Sequence, residues 1–416
     1  MPFRRRQFIK GVTAAGLGLA APLFVPARVF GANERIRTGH IGVGGQGRSN
    51  LKALLSHAVA VCDVDTRHSD QAAKMIHEAG GACEVYGDYR KLLERSDIDA
   101  VVISTPDHWH ALQTIQACEA GKDVYVEKPL SLTIAEGRRM VQAARQHHRI
   151  VQTGSQQRSS DNFRRACELV RSGVLGAIQE IHVGIAAANH PFRERGPVPD
   201  SRPPEHLDYP LWLGPAPWVE YNQLRVHYNF RFFWDYSGGQ MTNWGAHHID
   251  IAHWGMGWDH SGPARVSGSA EFHPQAWHEV SESCRITYEY PTGTKMIVGQ
   301  QQPDISMGTK FIGTQGWIFV DRGKLQSSDP ELLKKSPDET KSSLIRSGNH
   351  HQNFLQCIKS RELPICDVEI GHRTATACHL GNIAIRTGQV IDWDHETEQF
   401  QDATLASWMD RNDREF

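Results

Sequence analysis

The sequence predicts an α/β protein in two parts: an N-terminal, parallel, doubly wound domain, then a C-terminal α/β domain with an open, mainly antiparallel sheet. Three observations carry this. Apolar runs alternate with helix-period segments up to about residue 150, a glycine-rich turn joins the first run to the first helix, and beyond Gly154 the pattern changes to alternating runs bounded by turn residues.

The first run, Ile36 to Val43, breaks into Gly42-Val43-Gly44-Gly45-Gln46-Gly47, with a helical pattern from Ser49-Asn50-Leu51. The second, Ala58 to Cys62, ends in Asp63. The third, Ala100 to Ser104, ends in Thr105-Pro106-Asp107, and the fourth, Asp123 to Val126, in Glu127-Lys128-Pro129. Strands that are apolar on both faces mean a parallel sheet covered by helices on both sides. After a helix near Asp161 to Arg171 and a run from Ile178 to Ala187, eight of the 20 prolines fall between Pro191 and Pro217. Such a stretch holds neither helix nor central strand, so a long ordered excursion or lid is expected. One helix from Gly239 to Trp254 follows, then runs at 265–272, 284–290, 295–302, 310–313 and 317–320 that read as an antiparallel or mixed sheet. Asp329 to Ser347 reads as a solvated loop, Asn349 to Lys359 and Gly371 to Arg386 as helices. The expected boundaries are a leader at 1–32, a nucleotide-binding domain at 33–155, a substrate and oligomerisation domain at 156–395 and a polar tail at 396–416.

With 416 residues, 45 Lys+Arg against 47 Asp+Glu leave no net field to recommend nucleic acid or an anionic membrane as partner. No apolar run of the mature chain reaches the roughly 18 to 20 residues that cross a bilayer. The first residues, Arg4-Arg5-Arg6-Gln7-Phe8-Ile9-Lys10 followed by an uncharged Gly/Ala-rich stretch, resemble a twin-arginine export signal, implying a periplasmic or otherwise exported protein. Eight Cys without CxxC or regular spacing are expected as buried free thiols, since a chain of this length buries its own core.

A glycine-rich turn between strand and helix, answered by an acid at the next strand's end, puts a pyrophosphate on a helix N-terminus and a ribose on a carboxylate. Gly42, Gly44, Gly45, Gln46, Gly47 and Asp63 therefore mark a Rossmann-type dinucleotide site. Asp63 would repel a 2′-phosphate, which favours NAD over NADP, although Arg67 is nearby.

Thr105-Pro106-Asp107-His108-Trp109-His110, Glu127-Lys128-Pro129, Gly154-Ser155-Gln156-Gln157-Arg158, Trp234-Asp235-Tyr236-Ser237-Gly238-Gly239 and Asn243 to Asp250 resemble the Gfo/Idh/MocA oxidoreductases, in the family's order, from about residue 35 to about residue 395. The resemblance implies a Rossmann domain, a C-terminal α/β domain whose open sheet often makes homo-oligomer contacts, and a carbohydrate substrate. It adds Thr105, Pro106, His108, His110, Glu127, Lys128 and Gln156 to the expected cofactor contacts. The family commonly places Lys, Asp and His around the substrate carbon. Lys128 and His247 match two of these, while Asn243 stands at the Asp position, where it can orient the imidazole or hold a sugar hydroxyl but supplies no charge. Asp250 or Asp235 could take that part.

Oxidising a secondary alcohol requires a base for the hydroxyl proton while hydride leaves carbon, a task for which histidine, here His247, is the default; Lys128 would place a positive charge beside the developing alkoxide, or act as a base itself if burial depresses its pKa. Trp109, Tyr228, Trp234 and Tyr236 suit stacking on sugar faces, with Arg158, Arg231 and His248 as polar partners. A metal at His247, Asp250 and His253 is rejected, because steps of three spread these side chains over about 120° of helix surface. An exported enzyme has no evident NAD pool, so a tightly held nucleotide is expected. Three readings result: a sugar or polyol oxidoreductase, a redox-neutral NAD-dependent glycosidase with Tyr228, Tyr236 or His227 as second base, and a non-catalytic sugar-binding protein.

Overall fold

The computed structural model describes residues 35–188, 198–275, 278–337 and 344–415, which form one compact unit. The twin-arginine motif lies outside the described residues.

The first sheet contains β1 (Thr38–Ile41), β2 (Ala58–Cys62), β3 (Glu84–Tyr86), β4 (Ala100–Ile103), β5 (Asp123–Val126) and β6 (Val151–Thr153), in the order β3-β2-β1-β4-β5-β6. All its pairings are parallel. β1, β4, β5 and β6 are buried along their whole length, as expected for a sheet with helices on both faces. The strand order reverses between β1 and β4, opening a crevice at their C-terminal ends. The helices carry their own start signals. Asp65 caps Thr66–Glu78, and Thr133 with Glu136 forms a reciprocal capping box on Ile134–Gln146.

The second sheet has nine strands and is mixed. It contains β7 (Ile178–Ile185), β8 (Arg265–Phe272), β9 (Ser281–Glu289), β10 (Lys295–Gln300), β11 (Gly308–Gly313), β12 (Gly316–Asp321), β13 (Lys324–Ser327), β14 (Ile391–Asp394) and β15 (Gln399–Phe400). β7 and β10 pair in parallel and the remaining neighbours antiparallel, so the sheet is mainly antiparallel as the alternating runs predict. The helices Gly245–Met256 and Val368–Thr387 share its largest core through Ile249, Trp254, Leu380 and Ile383, against Ile286, Tyr288 and Phe311.

Three expectations need correction. The helix expected from Gly239 to Trp254 is divided at Trp244 into Gly239–Asn243 and Gly245–Met256. The stretch expected as a solvated loop from Asp329 begins with a short helix, Pro330–Lys334, whose Leu332 is buried. The segment beyond 395 is not a loose tail. β15 pairs with β14, Arg411 binds Glu136 and the carbonyl of His108, and the amide of Arg414 donates to the carbonyl of Pro215. All eight cysteines are free, seven of them buried. Among the described residues no helix is long and apolar enough to cross a membrane.

Candidate active site

A cleft of about 330 Å³ opens at the C-terminal ends of β1, β2, β4 and β5. Its floor is the glycine turn. Gly42 takes φ +76°, and a Cβ there would lie 2.7 Å from the Thr105 nitrogen. A Cβ on Gly47 would meet the Gly42 carbonyl oxygen at 1.9 Å, so this glycine serves helix–strand approach rather than the cleft wall. At Gly45 a Cβ would meet nothing within 4 Å, leaving the backbone open to a ligand at the start of the helix Gly45–Ala53. Asp63 lines the cleft, its Oδ2 accepting from the Val43 amide at 2.8 Å and its Oδ1 from Asp65 at 2.9 Å. This turn and this carboxylate fit the pyrophosphate and ribose of NAD.

Thr105, Pro106 and Trp109 also line the cleft. The Trp109 indole donates to the Trp212 carbonyl, and Thr105 Oγ1 donates to Gln113. Glu127 lies beside them, its Oε1 receiving amide hydrogens from Gln46, Asn50 and Gln156 at 3.2, 3.0 and 2.9 Å. Gln156 therefore braces Glu127 from outside the cleft wall instead of lining it.

Lys128 follows at the end of β5 and faces the cleft. Its Nζ donates to Asn243 Oδ1 at 2.7 Å and to the Asn243 carbonyl at 3.3 Å. Burial lowers its pKa to about 8. Asn243 Nδ2 in turn donates to Gln240 Oε1. The asparagine thus orients the lysine; no bond to His247 is formed, which corrects the expectation of an Asn–His pair on one helical face.

His247 is almost wholly buried, outside the cleft wall, with Nδ1 unpartnered and its ring against Trp244. Burial first, then the positive charges of Lys128 and Arg322, drives its pKa well below the ordinary histidine value. The imidazole is therefore neutral and electrostatically coupled to Lys128.

Several expected contacts prove to be structural. His108 is fully buried against Trp212 and Tyr236, with Nε2 on the Trp212 carbonyl. His110 spans the carbonyls of Pro129 and Thr105, bracing the two strand ends that flank the cleft. Arg158 is buried in ion pairs with Asp250 and Asp259. His248 is fully buried, with Nδ1 on the Gly184 carbonyl. Tyr236 is 1% exposed inside an aromatic cluster, and Trp234 lines a different cavity. Apart from Trp234, these side chains, expected to meet cofactor or substrate, are held by contacts within the protein. Asp250, engaged by Arg158 and Thr374, is likewise unavailable to His247. His253 Nε2 lies 2.6 Å from the Tyr290 hydroxyl.

Tyr228 and Arg231 do line the cleft, on the excursion after the proline-rich stretch. Tyr228 is 64% exposed, with the Arg231 guanidinium 4.2 Å from its ring centre. The same excursion fastens to the edge of the cofactor domain. The Thr66 amide donates to the His206 carbonyl, the Asp208 amide to the Val64 carbonyl, and Asp65 and Leu207 form an antiparallel bridge. His227, held at φ +51°, reaches Asp65 Oδ2 at 3.1 Å and lies tilted against His68 with ring centres 4.7 Å apart, the His68 Nδ1 being 3.5 Å from Asp63. Ligand-type atoms of Asp65, His68 and His227 lie within 4.8 Å of one another. Hydrogen bonding of each imidazole to its own carboxylate accounts for this cluster. Sequence reasoning missed Asp65 and His68 entirely, along with Asp107, whose buried carboxyl accepts from Ser237 Oγ at 2.6 Å and is pushed upward in pKa by burial.

The comparisons fit this geometry. Residues 36–155 match the NAD-binding Rossmann fold of the Gfo/Idh/MocA oxidoreductases, and residues 161–415 match that family's C-terminal alpha/beta domain. The chain belongs to the Gfo/Idh/MocA family. A Glycosyl hydrolase family 109 protein of Saccharopolyspora erythraea is 31% identical over 221 residues, 46% of this chain and 47% of the relative. An alpha-N-acetylgalactosaminidase of Shewanella oneidensis is 33% identical over 173 residues, 38% of this chain and 36% of the relative. The chain thus matches about half the length, or less, of these curated relatives. Among solved structures, the WlbA dehydrogenase of Bordetella pertussis, in complex with NADH and UDP-GlcNAcA, superposes with a TM-score of 0.64 at 18% identity, covering 87% of this chain and 99% of that one. That likeness concerns the fold.

Proposed function

We propose that this family member is a NAD-dependent oxidoreductase acting on a secondary hydroxyl of a sugar, polyol or glycoside, with the nucleotide retained between turnovers. The observation that carries the reading is Lys128, a desolvated amine with a pKa of about 8 facing the cleft where β5 ends. Bound NAD supplies the hydride acceptor. Lys128 takes the hydroxyl proton and returns it in the reverse direction, its pKa lying close to working pH. Asn243 fixes the Nζ position without adding the negative charge that would hold the proton more firmly. Burial, reinforced by the charges of Lys128 and Arg322, keeps the His247 imidazole neutral, so the mobile proton resides on the lysine. Tyr228 and Arg231 overhang the cleft and would meet sugar hydroxyls. The excursion clasped over Asp63, His68 and Asp65 supports slow release of the adenosine half.

A second reading is favoured by the glycosyl hydrolase relatives: glycoside cleavage in which the nucleotide's redox state is unchanged after each cycle. Tyr228, exposed at the cleft mouth, is its candidate second base. Nitrophenyl glycosides without added NAD separate the two readings. Sustained nitrophenol release supports hydrolysis, and a free sugar that reduces the bound nucleotide once supports the oxidoreductase. Full activity of a Lys128→Met variant in both assays would refute the site.

Export of the folded, nucleotide-loaded protein through the Arg5-Arg6 leader belongs to the same proposal, as does homo-oligomer formation through the open sheet. An Arg5→Lys, Arg6→Lys double variant should remain inside the cell, and light scattering should give a mass above one chain.

A further inference from the structure

Ser237 lines both the cofactor cleft and a second cavity of about 490 Å³. This cavity is walled by Trp234 and Asp235 of the excursion, by Asn382 and Arg386 on the helix Val368–Thr387, and by Trp408 near the C-terminus. Its size lies within the roughly 300–1,000 Å³ of small-molecule sites.

The polar inventory is unbalanced. Of the charged groups on the wall, Arg411 is paired with Glu136 and Asp413, and Asp410 with Arg139. Arg386 and Asp235 have no ion pair or hydrogen bond among the described residues. Arg386 is gripped by two indoles, its guanidinium carbon 4.4 Å from the Trp234 ring centre and 4.6 Å from that of Trp408. A guanidinium held against aromatic rings still has N–H donors to offer a planar anion. Asn382 is 5% exposed and spends its amide hydrogen on the Gly238 carbonyl, and its buried Oδ1 has no partner. The cavity therefore offers one fork of donors for an anion, and two acceptors, Asp235 and Asn382 Oδ1, that call for hydroxyl hydrogens. A single small molecule satisfies both demands when it carries a carboxylate and several hydroxyls.

We propose that this cavity is a second saccharide site, selective for a sugar acid, with Arg386 on the carboxylate and Asp235 and Asn382 on ring hydroxyls. It adjoins the cofactor cleft at Ser237 and does not depend on the reaction assigned there. Calorimetric titration of the full chain with D-glucuronate, D-glucose and glycine tests it. Glucuronate should bind, with glucose weaker by at least about tenfold for want of the charge-assisted bond to Arg386, and glycine weaker by a similar factor for want of the hydroxyls that Asp235 and Asn382 would hold. Arg386→Gln, at an exposed position, should abolish that selectivity, Arg386→Lys should restore it in part, and Lys128→Met should leave glucuronate binding unchanged. Equal binding of glucose, preference for glycine, no glucuronate binding, or a signal lost in Lys128→Met and kept in Arg386→Gln would each overturn the assignment.

Discussion

Lys128 Nζ donates to Asn243 Oδ1 across 2.7 Å, joining the end of β5 to a helix 115 residues further along the chain. Burial lowers the lysine to about 8, and the amine is the proton-accepting form, so the oxidation rate should climb through about pH 8 and level off above it. Replacing Asn243 by Asp sets a carboxylate against the ammonium and favours the charged form. The limb should then move upward by about one unit or more, with lower activity at neutral pH. The pH profile of kcat/KM for wild type and Asn243→Asp checks this. A limb that stays in place would separate Lys128 from the proton transfer.

The clasp at the adenosine edge predicts slow nucleotide release. Asp65 is 1% exposed and meets His227 from the excursion, while the backbone bridge to Leu207 closes the same edge. His227→Ala removes the imidazole while keeping a Cβ at the same positive φ. NAD dissociation should accelerate by about tenfold or more, as expected for loss of a hydrogen bond to a charged group. Stopped-flow displacement of the bound nucleotide measures it, and an unchanged off-rate would remove the clasp from cofactor retention.

Strand-end chemistry was legible because a parallel α/β sheet delivers it by grammar: Gly42, Asp63, Thr105 and Lys128 each stand where an apolar run stops. The clasp was not. Asp65, His206 and His227 are separated by 141 and 21 positions and meet only through the path of the excursion. Arg158, His248 and Tyr236 misled for the opposite reason. Their polar and aromatic side chains read as substrate contacts, yet each is spent inside the protein, on Asp250, on the Gly184 carbonyl and in an aromatic cluster. The helix break at Trp244 is also invisible to periodicity, since apolar and polar residues continue in phase across it.

Asp63 predicts cofactor choice. Its oxygens accept from Val43 and Asp65, which aims the carboxylate at the ribose position and repels a 2′-phosphate. Asp63→Ser should weaken NAD and narrow its advantage over NADP by about tenfold, two nucleotides being compared in one variant so that any local loosening cancels. Fluorescence titration with the two reduced nucleotides measures the ratio. An unaltered ratio would move the specificity elsewhere.

The joint between the halves predicts an acid limit to stability. Arg138, on the helix Ile134–Gln146, binds Glu369 at 2.7 Å and Glu398 at 2.8 Å, while Arg373 and His372 approach the same carboxylates. Burial pushes Glu369 upward, but the hydrogen bonds and charges of Arg138 and Arg373 outweigh it and hold the group at about 2, against 4.5 for a free side chain. Because the folded pKa lies below the unfolded one, this contribution is complete above about pH 4.5 and drains away as pH falls toward about 2. Arg138→Met should cost about 1–2 kcal/mol at neutral pH, since two carboxylates lose a part-exposed partner while keeping Arg373. Urea unfolding at neutral pH and near pH 3 tests both parts. The difference between wild type and variant should narrow in acid, and a constant difference would show that the arginine acts through packing of its stem alone.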